Sequence, residues 1–195
     1  MSSSGRIVAV NVASARPLAA GGRSVMSAID KRALAGAVEV RRLGLVGDEQ
    51  ADPSVHGGLA KAVYAYPHEH YGFWRTVRAQ ARVAGWDAAL PPGALGENLT
   101  IEGLVEADAW IGDRLRLPGC VLVVSEPRFP CFKFTAHMGF AQAGKLMVQS
   151  GWCGFYLAVL EPGRVAAGDA FEVEPGPREV SVVELFRSRM AGRRA

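Results

Sequence analysis

The chain has 195 residues, 49% of them hydrophobic and 21% charged, the profile of one globular domain with a substantial core and not of a disordered segment. A net charge of only +3 excludes a broadly basic surface, so a nucleic-acid polymer is not the expected partner, while a local basic pocket for an anionic ligand stays open. Three cysteines, Cys120, Cys131 and Cys153, are too sparse and odd a set for the disulfide framework of a small secreted domain.

The opening segment MSSSGRIVAVNVASA has a short apolar run interrupted by Asn11, and it reads as a strand and not as a signal peptide. No window approaches the roughly 18 uninterrupted apolar residues of a membrane span. The expectation is a cytoplasmic protein with no membrane partner.

Along the chain, 23 glycines and 11 prolines punctuate short runs rich in Val, Leu and Ile, which favours a mainly β architecture with peripheral helices over a helical bundle. Strands are expected at Arg6 to Ala13, Val38 to Leu45, Lys61 to Tyr66, Asn98 to Ile101, Leu115 to Leu117, Val121 to Ser125, Phe155 to Val159 and Ala170 to Val173. Their shortness suits a closed β-barrel better than an open sheet. Helices are expected from Pro67 through HEHYGFWRTVRAQ, from Cys131 to His137 and Phe140 to Gln149 with a break near Gly139, and from Val182 to Met190. The segments IGDRLRL and AGDAFEV each place Gly-Asp before alternating apolar residues, so they read as matching hairpin entries, with Asp113 and Asp169 as turn formers.

Three loops carry chemistry. In PRFPC, Pro127 to Cys131, two prolines restrict the backbone around an arginine and a thiol. Arg128 there favours a thiolate at Cys131, the form needed for nucleophilic attack or soft-metal ligation, or it holds a phosphate; the competing reading of Cys131 is a small buried hydrophobe. In HGGLAKAV, two glycines permit close approach of a ligand and Lys61 offers a point charge, while His56 is either a pocket donor or a histidine satisfied within a turn. The loop has neither Walker A nor dinucleotide-binding spacing. In PGALGENLTIEGL, Asn98 can both donate and accept toward a heterocycle edge, or can tether its own loop; Glu97 would repel an anion unless paired.

A zinc site built from His68, His70, His137, Cys120 and Cys153 lacks a C-x-x-C pair, and a hydrolase using Cys131 and His56 lacks a nucleophile motif.

Taken in order, GLVGDEQADPSVHGGLAKAVYAYPHEHYGFW, PGALGENLT, IGDRLRL and EPRFPC resemble the YiiM-like branch of the MOSC family, with the resemblance running from about Val25 to Val173. It implies a barrel related to the pyruvate-kinase type and a molybdenum cofactor in its molybdopterin form. By this resemblance Cys131 is the metal-binding and catalytic cysteine, Arg128 and Asn98 contact the cofactor, His56 and Lys61 lie near it, and Lys31 is a further candidate contact. The implied activity is reduction of small N-hydroxylated compounds, such as hydroxylaminopurine-type bases or amidoximes, with electrons from a separate flavin-containing reductase. The alternative is a sulfur carrier or cofactor-delivery module without turnover of its own. Residues 1–178 are expected to form the barrel and 179–195 a helical tail, the start of the helical appendage into which such proteins commonly continue. Cys153 falls where a noncatalytic residue is expected.

Overall fold

A computed structural model describes residues 4–51 and 57–192. Its strands are β1 (Ser4–Val12), β2 (Arg16–Ala20), β3 (Arg23–Ser27), β4 (Arg32–Ala33), β5 (Val38–Arg41), β6 (Gly44–Leu45), β7 (Val63–Pro67), β8 (Leu99–Glu102), β9 (Arg114–Arg116), β10 (Val121–Pro127), β11 (Phe155–Glu161), β12 (Gly163–Val165) and β13 (Ala170–Glu174). Among the described residues the α-helices are α1 (Tyr71–Gln80), α2 (Phe132–Met138), α3 (Ala143–Ser150) and α4 (Val182–Gly192).

Seven strands close on themselves in the order β13, β9, β10, β11, β7, β8, β1 and back to β13. Among the described residues only the β7–β8 pairing is parallel. The closure follows from alternation. In β13 Phe171 and Val173 are buried between exposed neighbours, and in β9 Leu115 is buried between Arg114 and Arg116, so one face of each strand must turn inward. All five residues of β7 are buried, because this strand carries packing on both faces. The expected closed, mainly β barrel is thus the observed fold.

The two Gly-Asp segments are partners of each other: β9 pairs with β13 through Arg116 with Glu172 and Leu115 with Val173. Both aspartates hold turns. Asp169 Oδ2 accepts from Ala166 N at 2.8 Å, and the fully buried Asp113 accepts from Gly176 N at 2.8 Å and from the Arg178 guanidinium at 3.3 Å.

Several boundaries differ from expectation. Val38 to Leu45 is a hairpin, not one strand; its Gly44 sits at φ +132°, and a Cβ there would lie only 2.7 Å from Ala62 O, so the position requires glycine. Pro67 ends β7, opposite Ile101, and does not start the helix. A 3₁₀ turn at His68–His70 intervenes before α1. The break near Gly139 is as expected: this glycine caps α2 in the left-handed conformation at φ +81°.

The β2–β3 hairpin was not anticipated from the sequence, although its turn, Gly21-Gly22 with both φ positive, is a recognised hairpin signal. No helix of the described residues is long and apolar enough to cross a membrane.

Candidate functional site

The cavity forms where β10 gives way to α2. Residues 127–131 make the crossing, and Cys131 stands at the residue that precedes the first turn of α2, in extended conformation, with its carbonyl accepting from Phe134 N at 3.1 Å. Its half-buried side chain faces a pocket whose walls also hold Lys31, Lys61, Asn98 and Arg128. Five of the six residues singled out from sequence therefore share one cavity; the sixth, His56, lies outside the described residues.

Arg128 is 5% exposed. Its guanidinium lies between two aromatic rings, 5.2 Å from the centre of Tyr64 and 4.7 Å from that of Phe134, and Nη1 is 3.6 Å from Met147 Sδ. Among the described residues no carboxylate pairs with it, whereas an interior cation ordinarily needs one. The rings orient the charge without cancelling it.

The other cations are engaged differently. Lys31, 8% exposed, forms an ion pair with Asp48, whose side chain is equally buried. Burial holds the Lys31 ammonium below the ordinary lysine range, against the opposing pull of Asp48. Lys61 Nζ lies 3.9 Å from Glu126 and 5.9 Å from the centre of the Tyr156 ring.

Lys133, two residues after Cys131 and not anticipated from the sequence, lines the same cavity and donates to Met26 O at 3.0 Å. Burial pushes the phenols of Tyr64 and Tyr156 above the ordinary tyrosine range, so the aromatic part of the wall is neutral.

Asn98 reaches the cavity, yet its amide is committed to protein groups: Oδ1 accepts from Tyr64 N at 3.0 Å, and Nδ2 donates to Asp48 Oδ2 at 2.8 Å and Asn11 O at 3.3 Å. It shapes the wall by fixing β7, β1 and the Asp48 loop together. Glu97 turns away from the cavity. Its carboxylate accepts from Gly93 N at 2.8 Å, Leu95 N at 3.1 Å, Thr100 Oγ1 at 2.7 Å and the Tyr71 hydroxyl. A buried side chain so saturated with donors organises the loop from Gly93 to Asn98.

The remaining histidines and cysteines sit elsewhere. His68 Nδ1 is 3.1 Å from Glu102 and His70 Nε2 is 2.8 Å from Glu106. Cys153 is fully buried with its thiol raised by burial, and Cys120 is pushed up to about 11 by the same cause. Among the described residues no group of three His, Cys, Asp or Glu side chains is arranged to hold a metal. What the cavity offers is one thiol within a cationic and aromatic wall.

The MOSC domain family model matches residues 52–172. Protein YiiM of Escherichia coli is 37% identical over 159 residues, 81% of this chain and 68% of that one. A longer protein of Gibberella moniliformis named as a reductase is 34% identical over 180 residues, which cover 86% of this chain and 30% of the other. The crystal structure of YiiM from Geobacillus stearothermophilus superposes with a TM-score of 0.75 at 30% identity, covering 98% of this chain and 86% of that one. With the barrel and these matches together, the chain belongs to the MOSC domain family.

Proposed function

We propose that the chain is an oxidoreductase that holds a molybdenum cofactor of the molybdopterin form in the Cys131 cavity and reduces small N-hydroxylated compounds, such as hydroxylaminopurine-type bases or amidoximes. The observation that carries the reading is Arg128: a nearly inaccessible guanidinium with no carboxylate partner among the described residues, on the same wall as the half-buried Cys131 thiol. A buried, uncompensated cation favours an anionic ligand, and a thiol beside it suits a soft metal. The donor set therefore fits a group that carries phosphate and a thiolate-loving metal. MOSC domains are associated with this cofactor, and a relative is named as a reductase.

In this assignment Cys131 supplies the protein thiolate, while Arg128 offsets ligand charge, joined by Lys61 and Lys133 at the cavity wall. Asn98 keeps β7 and the Asp48 loop in register. The bound group would contribute a two-electron couple that no side chain here provides. Tyr64 and Tyr156, neutral and buried, present apolar surface that excludes water around the reacting bond. Electrons come from a separate flavin-containing reductase.

The test is turnover. Chain produced in a host that makes the cofactor, supplied with a reduced viologen dye as electron source, is expected to convert benzamidoxime or 6-hydroxylaminopurine to the amidine or amine, and Cys131→Ala to lose at least about 100-fold of that rate. Full activity in a cofactor-loaded Cys131→Ala protein would contradict the proposal.

A further inference from the structure

Lys31 and Asp48 enter the cavity wall from separate loops, 17 residues apart in sequence. Their side chains are 7% and 8% exposed. The Asp48 carboxylate is fixed on both oxygens: Oδ1 accepts from Ala13 N at 2.9 Å and from Lys31 Nζ, and Oδ2 accepts from Asn98 Nδ2 at 2.8 Å. A buried ion pair is a poor stabilising device, because desolvating both charges offsets much of their attraction. Both residues line the cavity that Cys131 also lines, so the pair borders whatever the cavity holds.

We infer that Lys31 donates the proton that turns the departing substrate oxygen into water, with Asp48 as the positioning residue that fixes the ammonium. The inference rests on the reductase reading above. Over the whole reaction, R–NH–OH takes up two electrons from the flavin-class donor and two protons. The N–O bond breaks, one proton from Lys31 Nζ goes to the leaving oxygen to give water, and a second from solvent goes to nitrogen to give R–NH₂. Lys31, left as an amine, is reprotonated from solvent.

The surroundings of Lys31 set its readiness to give up a proton. Asp48 in the ion pair and Glu97 behind it favour the charged form, and burial opposes them with the larger effect. Arg128, Lys61 and Lys133 are the other cations of the cavity lining, and Glu49 is a further acid. Tyr64, Tyr156 and Cys131 complete the titratable lining; the two phenols are kept neutral by burial.

Two measurements test this on the full chain. First, the ζ-amine of Lys31 is titrated by NMR with isotope-labelled lysine, the signal being assigned by its loss in Lys31→Arg. A midpoint below that of the exposed lysines is expected, and one at or above them overturns the inference. Second, kcat is followed against pH in cofactor-loaded protein. Because the ammonium is the active form, the rate should fall as pH rises through the Lys31 midpoint. Lys31→Arg, which keeps the charge but releases no proton, should lose that limb and at least about 100-fold in kcat with molybdenum content unchanged. A Lys31→Arg protein with wild-type kcat, or one that has lost its molybdenum, overturns the assignment of Lys31 as donor. Native protein that is loaded yet reduces no N-hydroxylated compound fails at the functional reading itself, so the two failures are distinct.

Discussion

At the scale of single residues, the cavity depends on polar groups that face away from it as much as on those that line it. Glu97 is the clearest case, since its carboxylate receives four donors and has no exposed atom to lose to solvent. Glu97→Gln keeps the size but sets an NH₂ group against N–H and O–H donors, and it should cost about 2 to 3 kcal/mol of stability, read from urea unfolding. A loss under about 0.5 kcal/mol would show that the loop from Gly93 to Asn98 is held by other contacts. The site was legible in part for a comparable reason. The thiol, Arg128, Lys61 and Lys31 carry charge or reactivity that a sequence displays, and the cavity gathers them. Asp48 and Lys133 were not recognised, because an isolated acid in GLVGDEQ and a lysine after PRFPCF become meaningful only when the Asp48 loop and α2 meet at the cavity. Asn98 was legible as a loop-fixing amide or as a ligand contact; its three protein partners show what the amide does in the folded chain.

Among the secondary-structure elements, α4 shows how the last residues join the barrel. Ser181 and Glu184 form a reciprocal cap, with Ser181 N donating to Glu184 Oε2 at 2.9 Å and Glu184 N donating to Ser181 Oγ at 3.3 Å. Beyond the cap, Val182 and Phe186 are fully buried, and Phe186 stacks on Phe129 at 5.5 Å, one residue after Arg128 in the site loop. The helix therefore packs against the loop that carries Arg128 and Cys131. Phe186→Ala should destabilise the chain by about 3 to 5 kcal/mol or release α4, and hydrogen exchange over residues 182–192 separates these outcomes. Unchanged exchange and stability would show that α4 does not support the loop. The sequence announced this helix by its spacing, but its docking partner Phe129 lies 57 residues upstream, beyond any local pattern. The β2–β3 hairpin escaped for the opposite reason: its strands, RPLAA and RSVMS, are too polar and short to stand out, despite the Gly-Gly turn between them.

For the whole molecule, closure of the barrel was legible because many short alternating strands admit few other ways to bury their apolar faces. Strand order was not, since β13 pairs with β1 across most of the chain as well as with β9, and no local spacing encodes these pairings. The same long-range closure brings the segments Ser27 to Lys31, Asp48 to Ala51 and Arg128 to Lys133 to one cavity. On the proposed function, this cavity is built around a soft metal held by Cys131 and an anionic group balanced by Arg128. The most direct measurement is the molybdenum and pterin content of native and Cys131→Ser protein, purified from a host that makes the cofactor. About one molybdenum and one pterin per native chain, with the molybdenum lost or greatly reduced in the variant, is the expected result. Neither metal nor pterin in the native chain, despite cofactor supply, would contradict it, and a persulfide on Cys131 in that protein would assign the cavity to sulfur transfer.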